Sequence, residues 1–232
     1  MKSARFYDAL YAPLKDYRRE VARLQQIISE HRPSGGQTLL DVGCGTGQHL
    51  AGLRRFYSVE GLDLDPDMLS VARTRLPGVP LHRADMAEFE LGRAFDVVVC
   101  LFGAIGYVRT RPRLRQAIQT MGRHLRPGGV LILEPWLTPE TYRPGAVHAS
   151  FVDQPELKVA RINVSQVRGR LSLLDLHYLV ATPAGTEHFR ERHQLGLFTH
   201  QEYRAAFQAA GLTPIHDSVG LNGRGLYIAA KA

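Results

Sequence analysis

The stretch Asp41-Val42-Gly43-Cys44-Gly45-Thr46-Gly47 stands between an apolar run, Thr38 to Val42, and a helical stretch at about Gly47 to Phe56. Glycines at 43, 45 and 47 let the chain turn tightly and let a ligand lie against bare backbone, at the strand-to-helix turn where open α/β sheets bind ligands. Downstream, Tyr57 to Leu62, Val79 to Ala84, Phe95 to Leu101 and Val130 to Glu134 are short, apolar and mostly bounded by Gly, Pro or Asp. Helical stretches lie between them at Pro66 to Arg75 and Arg113 to Leu125, the last closed by Arg126-Pro127-Gly128-Gly129. This alternation predicts a parallel sheet covered by helices on both faces. Upstream, Leu10, Leu14, Tyr17, Val21, Leu24 and Ile28 recur at helical spacing after Pro13 and predict an opening amphipathic helix that ends before Pro33.

After Pro135 the pattern changes. Val147 to Asp153, Val159 to Val167, Leu171 to Ala181 and Glu187 to Phe198 read as four strands of an inserted antiparallel layer. Along them Ala160, Ile162 and Val164 alternate with Arg161, Asn163 and Ser165, and Asp175 and His177 lie opposite Leu174 and Leu176. The polar side is expected either to face solvent or to roof a pocket with Arg161, Asn163 and His177. Thr199 and Glu202 form a capping box for a closing helix, followed by two strands, Leu212 to Val219 and Gly225 to Ala230.

Composition bounds the function. With 232 residues and 44% hydrophobic content the chain fills one domain with a sizeable core. No apolar run approaches the roughly 18 residues of a membrane span, and Met1 to Leu10 do not read as a secretory signal, so a cytoplasmic setting is expected. Two cysteines, Cys44 and Cys100, support neither a disulfide framework nor a metal site. A net charge of +7 carried almost wholly by arginine suits a phosphorylated partner, small molecule or nucleic acid alike.

Two acidic residues extend the glycine motif. Asp63 ends the second strand, where a carboxylate accepts the hydroxyls of a ribose, and Asp85 and Met86 end the third, where a carboxylate meets an exocyclic amine while Met68 or Met86 packs on the ring. These spacings resemble the class I S-adenosylmethionine-dependent methyltransferases. The resemblance implies a seven-stranded Rossmann-like sheet with the inserted β layer after its fifth strand, and S-adenosyl-L-methionine as cofactor. By the same resemblance Asp41, Gly43, Cys44, Gly45, Asp63 and Leu64 hold it, with Met68, Asp85, Met86, Leu101 and Tyr17 around it. Within one domain, a lid helix (1–34), a cofactor core (35–136), the inserted substrate layer (137–198) and a closing unit (199–232) are expected. The other reading of a glycine-rich turn, a nicotinamide-binding domain, calls for Gly-x-Gly-x-x-Gly rather than the Gly-x-Gly-x-Gly present here.

Phe6-Tyr7-Asp8-Ala9-Leu10-Tyr11, Lys15-Asp16-Tyr17, Gly106-Tyr107-Val108, Glu134-Pro135-Trp136 and Gly223-Arg224-Gly225-Leu226 narrow the resemblance. Together they are similar to the N,N-dimethyltransferases that act on thymidine-diphosphate-linked amino sugars in macrolide biosynthesis. That resemblance implies Tyr11 and His124 beside the reacting amine and Arg224 on the diphosphate, the turn around Arg224 being expected to leave its guanidinium free. It also admits a homodimer held by the inserted layer. A free small-molecule amine or hydroxyl stays open as acceptor. Nucleic acid is disfavoured, since Cys100-Leu101-Phe102-Gly103 lacks an Asn/Asp-Pro-Pro-aromatic motif for a flipped base and no basic tail is present.

Overall fold

The computed structural model describes residues 1–32 and 35–232, so the expected lid-to-core boundary at 34 falls outside the described residues. The strand Thr38–Val42 (β1) is followed by the helix Gln48–Leu53 (α3), Ser58–Asp63 (β2), Pro66–Arg75 (α4) and Leu81–Arg83 (β3). Phe95–Cys100 (β4), the helix Arg111–Arg123 (α5) and Leu125–Leu133 (β5) complete the parallel part. His200–Ala209 (α6), Ile215–Asp217 (β10) and Leu226–Ala230 (β11) close the chain, giving one seven-stranded sheet in the order β10-β11-β5-β4-β1-β2-β3. Strand β11 runs antiparallel to β5 and to β10, while β1 to β5 are parallel to one another.

Both faces of this sheet are covered, and for that reason its central strands are apolar on consecutive residues. All of β4 is buried. Val98 and Cys100 pack with Leu40 and Val42 on one side, against α5 and α6, while Val97 and Val99 pack with Leu39 on the other, against the second helix of the chain. The Arg126-Pro127-Gly128-Gly129 turn lies within β5 rather than ahead of it: Phe95 pairs with Leu125, the register shifts, and pairing resumes at Val97 and Val130. Gly128 takes φ 73° in the bulge, and a Cβ on Gly129 would come within 2.9 Å of the Asp96 carbonyl oxygen.

The opening helix is two helices, Ala4–Tyr11 (α1) and Tyr17–His31 (α2). Pro13 lacks the N–H that a continuous helix needs, and Asp16 restarts the structure by accepting the Arg19 N–H at 3.0 Å. The split lets α2 pack under the main sheet while α1 crosses to the inserted layer.

That layer is a separate antiparallel sheet of Val147–Gln154 (β6), Leu157–Arg168 (β7), Leu171–Thr182 (β8) and Gly185–Gly196 (β9). Phe6 and Leu10 of α1 pack on its inner face against Val152, Val159, Leu176, Tyr178 and Val180. The register pairs Arg161 with Tyr178 and Ile162 with His177. Arg161, Asn163, Leu174 and Leu176 therefore share the inner face, and Ile162, Val164 and His177 share the outer one. The expected single polar side carrying Arg161, Asn163 and His177 does not form, because the polar stripe of β7 is in register with the apolar stripe of β8.

Candidate active site

The two sheets enclose a cavity of about 700 Å³ at the carboxyl ends of β1, β2 and β4. Its floor is the glycine loop, where Gly43 and Gly45 take φ 78° and 54°, and a Cβ on Gly43 would stand 2.7 Å from the Ala104 side chain. Only bare backbone fits there. Asp63 at the end of β2 ties this loop down: its two carboxylate oxygens accept the Gly45 N–H at 2.8 Å and the Asp65 N–H at 2.9 Å. Burial pushes the Asp63 carboxyl above its usual range against the pull of those N–H groups. Leu64, Met68, Asp85, Met86 and Leu101 also line the cavity. Both Asp85 oxygens are engaged, one by the Ala87 N–H at 2.9 Å and one by the Arg113 guanidinium at 2.6 Å.

A smaller annex of about 50 Å³ adjoins it and is lined by Tyr17, Asp41, Cys44 and His49, with Gly43, Gly45, Leu101 and Phe102 common to both spaces. Asp41 is 2% exposed, and burial pushes its carboxyl up to about 6, partly opposed by His49. His49 in turn meets Glu20 at 2.7 Å, and Glu20 holds the Lys15 ammonium at 2.9 Å. Lys15 sits 3.7 Å from the centroid of Phe102.

Helix α1 is the wall between annex and roof. Asp8 accepts the Thr46 hydroxyl of the glycine loop at 2.7 Å and pairs with Arg75 of α4. Tyr11 packs edge-on against Phe102, and its hydroxyl accepts from Arg161 Nη1 at 3.0 Å. Tyr11 and Arg161 thus stand together on the cavity wall. Asn163 is buried on the same sheet face but does not line the cavity.

Three expected placements are corrected. His124 is 2% exposed and lies at the opposite end of the sheet, beside Phe95 at the start of β4, a strand length of about 17 Å from the cavity floor. Its Nδ1 donates to the Thr120 carbonyl at 2.8 Å, its Nε2 accepts the Leu91 N–H at 3.2 Å and its ring lies on Phe89, so it closes the end of α5 and is not beside a reacting amine. His177 is exposed on the outer face, stacked on His188. Arg224 is not free in its turn: its guanidinium is stacked over Phe102 at 4.7 Å and Trp136 at 5.0 Å, with Nη1 buried and without a hydrogen-bond partner.

No site role is assigned from the sequence to Phe102, Tyr107 or His193, although Gly106-Tyr107-Val108 is one of the stretches that carry the family resemblance. Phe102 takes φ 53°, a left-handed conformation costly for an aromatic residue, directly after β4. Tyr107 lies in the one-turn 3-10 helix Ala104–Val108 and His193 on β9, and both line the cavity. No local signal joins Tyr107 to His193, because a short apolar turn and an alternating strand meet there across 86 residues.

Residues 39–129 match the family model for a methyltransferase domain. The dTDP-3-amino-3,6-dideoxy-alpha-D-glucopyranose N,N-dimethyltransferase of Streptomyces fradiae is 42% identical over 97% of this chain and 89% of its own length. This chain belongs to the S-adenosylmethionine-dependent N,N-dimethyltransferases of nucleotide-linked amino sugars. Within this dimethyltransferase family, the dTDP-4-amino-2,3,4,6-tetradeoxy-D-glucose N,N-dimethyltransferase of Saccharopolyspora spinosa is 38% identical over 98% of this chain and 92% of its own length. The crystal structure of Streptomyces venezuelae DesVI superposes with a TM-score of 0.94 at 40% identity, covering 100% of this chain and 99% of that one. Sheet order, inserted layer and closing antiparallel strand are accordingly those of a class I methyltransferase.

Proposed function

We propose that this methyltransferase dimethylates the amine of a dTDP-linked amino sugar, with S-adenosyl-L-methionine as methyl donor. The observation that carries the reading is the cavity itself. One wall is a glycine loop with a buried carboxylate, the other is a roof that supplies Arg161, and Arg109 and Arg113 stand at the end of the floor, so nucleoside and anionic acceptor are both provided for. The likeness runs end to end through relatives whose names specify dTDP-amino sugars.

The residues fit the cofactor. The Gly43 and Gly45 backbone leaves room for a ligand, Asp63 keeps lone pairs for ribose hydroxyls, and Met68 and Met86 offer soft apolar contact to a base. Asp41, Cys44 and Tyr17 in the annex would receive the amino-acid end, and Leu64, Asp85 and Leu101 would frame the nucleoside. When bound, S-adenosylmethionine supplies an electrophilic methyl group. The chain contributes placement: Tyr11, fixed by Arg161 and Phe102, holds the acceptor facing the floor, and alignment of this kind is worth roughly 7–11 kcal/mol of barrier. Arg224, with one N–H group unpartnered behind Phe102, would reach the diphosphate. Cys44 and Cys100 are buried free thiols, which suits a cytoplasmic setting. No described helix is long and apolar enough to cross a membrane.

The proposal includes a homodimer formed through the outer face of the inserted layer. The decisive experiment for the substrate is calorimetric titration of dTDP into the protein saturated with S-adenosylhomocysteine, beside Arg224→Ala. Micromolar binding weakened at least about tenfold in the variant supports the nucleotide-sugar acceptor. Absence of dTDP binding, with the cofactor product still held, moves the acceptor to a free small molecule.

A further inference from the structure

The reaction needs a neutral amine, and a sugar amine arrives as an ammonium ion that keeps its proton to about pH 10, as lysine does. Neither Tyr11, whose hydroxyl is taken by Arg161, nor His124, at the far end of the sheet, is arranged to remove that proton. Another set of side chains is. The Tyr107 hydroxyl meets His193 Nδ1 at 2.8 Å inside the cavity. On the far side of the ring His193 Nε2 faces Glu191 Oε2 at 3.6 Å. Glu191 is held in turn by Ser3, whose N–H and hydroxyl donate to its two oxygens at 2.9 and 2.6 Å.

The direction of these contacts is set by chemistry. A phenol that donates to Nδ1 leaves the neutral imidazole's proton on Nε2, where it points at the carboxylate. Burial works against the charge on Glu191, but His193 and the two Ser3 donors overcome it and hold the carboxyl down at about 2, so it is ionised throughout the working range. The Tyr107 ring is 46% exposed, and what it exposes borders the cavity, on the 3-10 helix directly facing Gly43 across Ala104. The phenol is therefore a terminus that a substrate amine can reach, backed by an imidazole and a fixed anion.

The geometry points to Tyr107, His193 and Glu191 as a proton relay for the acceptor amine, with Tyr107 the catalytic residue and His193 and Glu191 positioning residues behind it. This rests on the proposed amino-sugar reading and deepens it. In the step, an N–H bond of the ammonium breaks and its proton goes to the Tyr107 oxygen, while the Tyr107 proton passes to Nδ1 of His193. The nitrogen keeps the electron pair, and the imidazolium is balanced by Glu191 until the proton returns through the phenol to water. The same relay serves the monomethylated amine. The Met1 amino group, Tyr7 and Tyr11 of α1, Asp63, Asp65 and Asp85, Arg109 and Arg113 of the floor, and Arg161 and Tyr178 of the roof are the other titratable groups around the cavity. Burial holds the Tyr107 phenol above its ordinary value, so it conducts the proton and does not rest as a phenolate.

The test reads His193 directly. In protein with 15N-labelled histidine and no cofactor, at pH 7.5, the His193 signals are assigned by their loss in His193→Gln. Addition of the dTDP-amino sugar is expected to shift them in the wild type, but not in Tyr107→Phe, and not when the dTDP sugar carries hydroxyl in place of the amine. His193 signals that do not respond in the wild type on saturation with the amino sugar overturn the relay. With cofactor, Tyr107→Phe is expected to lower kcat about a hundredfold at pH 7 with little change in KM, the deficit shrinking towards pH 10 as the amine deprotonates unaided. Glu191→Gln, which keeps one acceptor oxygen for the Ser3 N–H and can donate to the Ser3 hydroxyl, is expected to reproduce that pH trend more weakly. A Tyr107→Phe deficit equal at pH 7 and pH 9 also overturns the relay. If the wild type neither binds nor methylates any dTDP-amino sugar, the substrate reading fails, and the relay with it; if it methylates and the variants follow its pH profile, the relay alone fails.

Discussion

Asp41 shows how one buried charge links the fold to the cofactor. Its carboxyl is raised from 3.8 to about 6 by burial, so the apoprotein binds the proton more tightly than the unfolded chain does. Stability associated with Asp41 is then fully present below about pH 4 and lost as pH rises to about 6, worth roughly 3 kcal/mol at most. Asp41→Asn removes that dependence: the difference in melting temperature between variant and wild type is expected to grow in favour of the variant from pH 4.5 to 6.5 and then level off. A cationic ligand group beside Asp41 reverses the balance by favouring the ionised form. S-adenosylmethionine affinity of the wild type is therefore expected to strengthen as pH rises from 5 to 7, and to be weaker and flat in Asp41→Asn, measured by calorimetry. His124 makes the opposite case. Its removal leaves the Leu91 N–H without its partner and empties the space beside Phe89, so His124→Ala is expected to lose about 2–4 kcal/mol in denaturant unfolding while kcat, measured well below the melting temperature, stays within about twofold. A catalytic role would give the reverse pattern.

Elements were legible where a local signal sufficed. The Gly43 to Gly47 turn, the capping box at Thr199 and the apolar run Val97 to Cys100 of β4 each carry their own chemistry, and the sheet follows from them. The register of β7 against β8 carries no such mark: a slip of one residue exchanges every side chain between faces, and only the packed pair decides that Arg161 looks inward while His177 looks out. Helix α1 is the element whose role most depends on contacts distant in sequence. It is pinned to the floor through Asp8, Thr46 and Arg75 and to the roof through Ser3 and Glu191. Asp8→Ala is expected to free the floor side alone. Amide exchange across residues 4–11 should accelerate, and S-adenosylmethionine affinity should fall about tenfold, with the melting temperature changed by only a few degrees. Unchanged exchange in α1 would mean that its packing on Phe6 and Leu10 suffices without the polar lock.

At the scale of the molecule, the inserted layer has two unlike faces. The inner one is covered by α1 and the cavity. The outer one carries Val147, Phe151, Ile162, Val164 and Leu179, each between 45% and 74% exposed, and the register places them side by side: Val147 opposite Val164, Phe151 and Leu179 both opposite Ala160. An apolar patch of this continuity is unusual on a surface that only water touches. A flat apolar face is complementary to itself, and a twofold axis through it uses the same residues twice, which makes a second copy the occupant that asks for no further surface. The charged residues keep to the margins, with Arg190 and Arg192 paired to Asp175 and Lys158 to Asp153, so pairing need not bury an unmatched charge. Light scattering on an eluting peak is expected to give twice the 25.9 kDa chain mass for the wild type and the single mass for Ile162→Asp, with the monomer still binding S-adenosylhomocysteine because the cavity lies on the other side of the sheet. A wild-type mass of one chain at micromolar concentration would leave that face to a different partner.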